Sequence, residues 1–293
     1  MPSGIRMRDG RRLTFEEWGD RDGTPVVLLH GTPGSRHGVV PAELMAARPG
    51  VRFIAYDRPG YAESGRSDRS PGRRVAQAAR DVAALADSLG LGRFAVLGVG
   101  GGAPHALACA ALLPTRVRRA AVLACLAPPV AEGLSWFEGM ALSRVEEYTQ
   151  ALTEPVDFAD RLASRAAEIR TDPARLIASM RDGLTDSDRR IISAPAVSDM
   201  LLSTYREAVG SSAYGWLDDT LALLSHWGFD PARITRPVLL WHGAQDTFSP
   251  VAHFEWLADH IPRARPVLNP KAGHFSALEA LPDVLAWLCP APL

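Results

Sequence analysis

Four parts of the sequence contain residues suited to chemistry, and each lies just after a predicted strand or just before a predicted helix. Residues 30–34 (His-Gly-Thr-Pro-Gly) form a turn whose two glycines let the backbone approach a ligand closely. Residues 57–64 (Asp-Arg-Pro-Gly-Tyr-Ala-Glu-Ser) and the glycine-rich run 98–102 (Gly-Val-Gly-Gly-Gly) each follow another strand. Asp246 follows a later strand and His274 precedes the last helix, so a carboxylate and an imidazole are available for acid–base work.

The elements that must position these residues alternate between strand and helix. A hairpin over 5–18 turns at Asp9-Gly10 and opens the chain. Short apolar runs, which are typical of parallel strands buried on both faces, then predict five strands, over 25–29, 51–56, 94–97, 117–124 and 237–241. Helical spacing predicts helices over 75–89, 103–113, 252–260 and 275–288. The alternation predicts the α/β class with a mostly parallel sheet.

The alternation stops between residues 126 and 227, where about a hundred residues have a helical pattern. We interpret 127–228 as a helical cap inserted into an α/β core formed by 1–126 and 229–293. Aromatic and long apolar side chains of the cap are candidate pocket walls: Trp136, Phe137, Met140, Tyr148, Tyr205, Tyr214 and Trp216. Acidic side chains of the cap would leave room for an amine-bearing ligand: Glu132, Glu138, Glu146 and Glu147.

The order of the four motifs resembles that of the α/β-hydrolase superfamily, in particular its capped branch of proline iminopeptidase-like and epoxide hydrolase-like enzymes. The resemblance covers nearly the whole chain outside the cap. It implies that Asp246 orients the imidazole and that His274 is the general base. It also implies an oxyanion hole made by the backbone N–H groups of Thr32 and Gly101.

One position departs from the family pattern. The family's nucleophile elbow is Gly-x-Ser-x-Gly, whereas this chain has Gly100 at the nucleophile position, and glycine has no side chain with which to attack a substrate. Ser35 would lie on the opposing oxyanion loop and Cys125 at the end of the next strand, so neither is a ready substitute.

Three interpretations follow from this departure. In the first, the chain is a serine hydrolase of an ester, lactone or amide in which Gly100 has replaced the serine, by engineering or by loss, so that it is inactive as a hydrolase. In the second, glycine is natural, and His274 with Asp246 acts as a general base in a lyase, cyclase or water-activating reaction without a covalent step. In the third, the protein binds a ligand without catalysis.

The composition restricts the partners. The 293 residues include 32 basic and 33 acidic ones, so no net field would attract nucleic acid or an anionic membrane. We expect a small-molecule substrate or ligand, largely apolar. No stretch is long and apolar enough for a membrane span, and the first twelve residues contain no apolar leader, so the expected location is cytoplasmic.

The sequence predicts no metal and no organic cofactor. Its three cysteines, Cys109, Cys125 and Cys289, have neither CxxC spacing nor neighbouring metal ligands and are expected to be free thiols. The run 98–102 matches part of the Gly-x-Gly-x-x-Gly nucleotide pattern, but it lies in the middle of the chain without the βα pairing that a dinucleotide domain has before it.

Overall fold

A twisted sheet forms the centre of the computed structural model, which describes residues 3–67 and 73–290. Its eight strands within those ranges are β1 (Ser3–Arg6), β2 (Arg12–Gly19), β3 (Thr24–Leu29), β4 (Val51–Tyr56), β5 (Phe94–Val99), β6 (Val117–Leu123), β7 (Val238–Gly243) and β8 (Ala264–Asn269). They lie in the order β1-β2-β4-β3-β5-β6-β7-β8. In this order, all neighbouring strands between β4 and β8 pair in parallel. Only the β1–β2 and β2–β4 pairs are antiparallel. The predicted α/β class is confirmed.

The middle strands are apolar throughout because both of their faces are covered. In β3, Val27 and Leu29 belong to the apolar core on one face of the sheet, while Val26 and Leu28 belong to the core on the other. Alternate residues of a strand point to opposite faces, so a strand between two layers of helices must be apolar at every position. The parallel arrangement brings the carboxyl ends of β3, β5 and β7, and the loops that follow them, to one edge.

Eleven α-helices lie in the described ranges: α1 (Ala42–Ala46), α2 (Gln77–Ser88), α3 (Ala103–Leu112), α4 (Leu142–Thr153), α5 (Pro155–Thr171), α6 (Ala174–Ser179), α7 (Asp186–Ile192), α8 (Pro195–Ala208), α9 (Tyr214–Leu223), α10 (Val251–His260) and α11 (Leu281–Leu288). Helices α4 to α9 lie between β6 and β7, where the structure has no strand. We refer to residues 127–228 as the helical segment. Most of its buried apolar side chains form a cluster apart from the two sheet cores.

Two elements differ from the sequence prediction. The helix predicted over 275–288 is divided into a 3-10 turn (Phe275–Leu278) and α11, because Pro282 lies in the first turn of α11 and lacks the N–H that a continuous helix would use. The unpredicted strand β8 lies at the sheet edge and is largely exposed, so it lacks the apolar run by which the other strands were found. No helix of the described part of the chain is long and apolar enough to cross a membrane.

Candidate active site

The turn between β5 and α3 is built from glycines, but only one of them has room for a side chain. At Gly98, Gly101 and Gly102 a Cβ atom would overlap neighbouring backbone or side-chain atoms. At Gly100 a Cβ atom would meet only the imidazole of His274, at 3.4 Å from Nε2, which is an ordinary van der Waals distance. Gly100 has φ of +50°, which a non-glycine residue can adopt at a cost of about 1–2 kcal/mol. The elbow therefore has the space and the backbone shape for a short side chain facing His274.

The half-buried His274 and the fully buried Asp246 form a hydrogen-bonded pair. Nδ1 of His274 donates to Oδ2 of Asp246 at 2.8 Å. The other carboxylate oxygen, Oδ1, accepts the backbone N–H groups of Phe248 and Ser249 at 2.8 and 3.0 Å, so the carboxylate is fixed from two sides. This arrangement holds the imidazole with Nε2 directed at the space above Gly100.

The pair perturbs the pKa of both members. Burial alone would raise the pKa of Asp246, but the imidazole of His274 favours the carboxylate and the pKa falls to about 2. Burial likewise opposes a charged His274, but the charge and hydrogen bond of Asp246 outweigh it and raise the pKa of the imidazole above 6.5. Asp246 is therefore anionic at neutral pH, and the neutral, proton-accepting form of His274 becomes more populated as the pH rises.

Thr32 and Gly101, the two residues predicted to supply the oxyanion hole, lie side by side next to the elbow. The Thr32 side chain occupies the place where a Cβ of Gly101 would lie. Within the described residues, neither backbone N–H donates a hydrogen bond, so both remain available to a ligand. Two free amides beside Gly100 form an arrangement that can stabilise a developing oxyanion.

A buried carboxylate of the helical segment holds the loop that contains Thr32. Asp219 of α9 accepts hydrogen bonds from the Thr32 hydroxyl (2.9 Å), the Tyr61 hydroxyl (2.9 Å) and Nε of Arg58 (3.0 Å), and it is ion-paired with Arg73. Arg58 also donates to the Gly31 carbonyl at 2.9 Å. Sequence reasoning missed Asp219, since nothing local distinguishes it from a surface carboxylate.

A second carboxylate of the helical segment holds the loop of His274. Asp188 of α7 is fully buried and accepts the backbone N–H groups of His274 (3.2 Å), Phe275 (2.8 Å) and Ser276 (3.2 Å). Its Oδ2 also accepts the Thr185 hydroxyl at 2.9 Å. Its charge also favours the protonated imidazole. The sequence pattern gave no signal for this contact.

The two other candidate nucleophiles are poorly placed. Ser35 is fully buried, and its hydroxyl is hydrogen-bonded to that of Thr204 at 2.8 Å. Cys125 is buried, and burial raises the pKa of its thiol well above the ordinary value, which suppresses the reactive thiolate. Neither residue lines the cavity above Gly100.

Two histidines near the site are hydrogen-bonded to the backbone. Nδ1 of His30 lies 2.8 Å from the Gly31 carbonyl, and Nε2 accepts the Arg58 N–H at 3.1 Å. Nε2 of His242 donates to the Ser249 carbonyl at 2.7 Å. These contacts tie both imidazoles to the backbone of the loops near the site.

A cavity of about 950 Å³, including its opening to solvent, lies above Gly100 and next to His274. Its wall is mostly apolar and includes Leu176, Met180 and Leu201 of the helical segment. Of the seven candidate pocket walls, Tyr148 and Tyr205 line it. None of the four glutamates proposed to receive an amine lines it. Among the described residues no group of three or more His, Cys, Asp or Glu could hold a metal ion.

Comparisons with known proteins agree with this architecture. Residues 24–281 match the family model described as alpha/beta hydrolase fold. A non-heme chloroperoxidase of Streptomyces lividans is 30% identical over 252 residues, covering 85% of this chain and 83% of the relative. A pimeloyl-(acyl-carrier protein) methyl ester esterase of Nitrosomonas europaea is 27% identical over 86% of this chain and 89% of the relative.

Solved structures give the same result for the fold. A thermophilic esterase from Thermogutta terrifontis superposes with a TM-score of 0.69 at 22% identity and covers 99% of both chains. Since the family model matches most of the sequence and the sheet has the same architecture, the chain belongs to the α/β-hydrolase fold family.

Proposed function

We propose that this chain is a hydrolase-type enzyme that acts without a covalent intermediate on a small, largely apolar ester or lactone. His274, oriented by Asp246, is the general base, and the N–H groups of Thr32 and Gly101 stabilise the oxyanion. Gly100 leaves room for the attacking water. The reaction requires no metal, organic cofactor or nucleic acid.

In this mechanism a water molecule lies between Nε2 of His274 and the substrate carbonyl carbon. The water oxygen bonds to that carbon while Nε2 takes one of its protons, and the carbonyl oxygen gains the negative charge that the two amides stabilise. The tetrahedral intermediate then collapses, the bond to the leaving oxygen breaks, and His274 returns the proton to that oxygen. The products are a carboxylic acid and an alcohol, or one hydroxy acid from a lactone.

The space between Gly100 and Nε2 of His274 is the observation that carries this proposal. A Cβ at Gly100 would lie 3.4 Å from Nε2 and 3.7 Å from Cε1 of His274 and would meet no other residue within 4 Å apart from its chain neighbours, so the base faces open space where a serine side chain would lie. The base also keeps its orienting carboxylate at 2.8 Å. A protein that only bound a ligand would have no need of an imidazole held in this way.

We also propose that the helical segment is a cap, with the core in residues 1–126 and 229–293. Side chains of α4 and α8, among them Tyr148 and Tyr205, support this by forming part of the cavity wall opposite the elbow. The mostly apolar wall favours an apolar ligand.

A second candidate is a serine hydrolase whose nucleophile has been replaced by Gly100. The same turn favours it. At Gly98, Gly101 and Gly102 neighbouring atoms leave no space for a Cβ, so glycine is required there, whereas Gly100 has room for a serine side chain. The sterics there do not demand glycine, although its positive φ favours it.

The test is turnover of short-chain p-nitrophenyl esters and γ-lactones by the wild type and by Gly100→Ser, combined with mass spectrometry of the denatured protein. We expect slow wild-type hydrolysis, about 10³–10⁴ times faster than in water alone, with no acyl adduct and no fluorophosphonate labelling. His274→Gln should remove this activity, because the base is lost. His260→Gln is the matched control, since His260 is exposed and lies on the outer helix α10.

Three outcomes would contradict the proposal. Wild-type turnover that survives His274→Gln would exclude this base. Activity and labelling confined to Gly100→Ser would favour the second candidate. If neither protein turned over any substrate, both catalytic candidates would be wrong and a ligand-binding role would remain.

A further inference from the structure

The cavity wall carries one guanidinium, that of Arg144 at the start of α4. Among the described residues that line the cavity, no Asp or Glu is present, and the other basic side chain is His274. The Arg144 side chain is only 16% exposed. A largely buried cation in a mostly apolar wall is unusual, because removing a charge from water costs free energy unless a partner compensates it.

The carboxylate of Glu147 is the ion-pair partner of Arg144, and it is shared with a second guanidinium. Nη1 of Arg144 donates to Oε2 of Glu147 at 3.1 Å. The same oxygen lies 3.9 Å from Nη1 of Arg165, and Oε1 accepts the indole N–H of Trp216 at 3.1 Å. One carboxylate thus faces two guanidinium groups, so the cluster has one positive charge in excess.

The free donors of Arg144 lie on one edge of its guanidinium group. Nε is buried and has no hydrogen-bond partner, and Nη2 donates to no described residue. Nε and Nη2 form the edge of the guanidinium that can donate two parallel hydrogen bonds to one carboxylate. The Glu147 contact, which uses Nη1, leaves both of these donors without a hydrogen-bond partner among the described residues.

Arg144 is also close to the proposed base. Its guanidinium carbon lies 5.7 Å from the centre of the Phe248 ring, and that ring lies 5.2 Å from the imidazole of His274. The two groups therefore flank one aromatic side chain. The charge of Arg144 acts on the imidazole and opposes its protonation.

We propose that Arg144 binds a carboxylate of the substrate, so that the substrate is a small acid with an apolar body between that carboxylate and the reacting carbonyl. The Nε–Nη2 edge holds the carboxylate, the apolar wall holds the body, and the carbonyl lies above Gly100. The inference deepens the proposed function and rests on it for the position of the reacting group. It replaces the amine-bearing ligand that the glutamates of the cap suggested from sequence.

Equilibrium binding of three unreactive probes tests this proposal without requiring turnover. The probes are 4-phenylbutyrate, 4-phenylbutyramide and 4-phenylbutylamine, measured by calorimetry on the full chain at low ionic strength. We expect the carboxylate to bind at least about tenfold more tightly than the amide, because charge-assisted hydrogen bonds are stronger than neutral ones, and the amine to bind weakest. Arg144→Met should remove the preference, and Arg144→Lys should keep part of it.

Arg161→Met is the matched control, since it removes the same charge from the helical segment at a side chain that is 43% exposed, pairs with Glu154 and does not line the cavity. It should leave the preference intact. Equal binding of acid and amide by the wild type, or a preference that survives Arg144→Met, would overturn the inference, and the wild-type comparison decides it even if the variants fold poorly. Carboxylate selectivity without turnover would refute the proposed function alone, whereas turnover of neutral esters without selectivity would refute this inference alone.

Discussion

Replacing Asp188 should loosen the loop that carries the proposed base, although Asp188 touches neither the cavity nor the imidazole ring. Its carboxylate is fully buried and accepts three consecutive backbone N–H groups, those of residues 274–276. Each buried donor left without an acceptor costs about 1–3 kcal/mol. Asp188→Ala should therefore lower the free energy of unfolding by roughly 3–5 kcal/mol, since water entering the vacated space recovers part of the loss.

Asp188→Asn is the milder variant and separates charge from shape. An amide oxygen can still accept the Phe275 N–H, which has the shortest of the three bonds at 2.8 Å, but the NH₂ group cannot accept the His274 N–H. We expect a loss of about 1–3 kcal/mol. The pKa of His274 should also fall, because the charge of Asp188 helps to raise it.

Asp186→Asn is the control, since it makes the same chemical change two residues away on a fully exposed side chain. It should change the free energy of unfolding by no more than about 1 kcal/mol, because it removes a negative charge that interacts favourably with the N-terminus of α7. Urea unfolding gives the stability, and an NMR titration of the imidazole gives the pKa. The reasoning would be refuted if the two asparagine variants were equally stable or if the His274 pKa were the same in both.

Three further predictions follow from the site. Gly100→Ala should lower the free energy of unfolding, measured by heat or urea, by about 1–2 kcal/mol. Gly101→Ala should lower it more, toward the upper end of the roughly 1–3 kcal/mol that overpacking costs. Equal losses in the two variants would contradict the steric argument. Asp246→Asn should lower the pKa of His274, seen by NMR. The pKa of Asp246 falls from 3.8 to about 2 on folding, so the ionised carboxylate stabilises the folded protein above about pH 4. This contribution to the free energy of unfolding is lost as the pH falls toward 2, and Asp246→Asn should not show that loss. Asp219→Ala should cost about 3–5 kcal/mol, because two buried guanidinium groups lose their partner; a loss below about 1 kcal/mol would mean that water replaces the carboxylate.

The sheet could be predicted from the sequence because its strands are buried on both faces. Each of the five runs predicted as central strands is mostly apolar, with arginine only near the start of two of them, which is a strong local signal. The strand β8 was missed because it is an edge strand with exposed side chains. The last helix was predicted as continuous although the proline in its first turn divides it from the turn before.

The motif residues could be predicted because each follows a strand or precedes a helix. Loops at the carboxyl ends of parallel strands meet at one edge, so Thr32 and Gly100 must lie near each other once the strand order is known. The structure adds the distances: His274 lies 2.8 Å from Asp246 and faces the open space above Gly100.

The sequence by itself determined the class of fold and the order of the residues around the elbow. The tertiary structure decided which carboxylates and cations of the helical segment serve the site. Asp186 and Asp188 are two residues apart in one helix, yet the first is fully exposed and the second is fully buried. A carboxylate or guanidinium on an amphipathic helix looks the same in sequence whether it faces water or an unpaired N–H. The difference arises only when the helix packs against a loop that is distant in the chain.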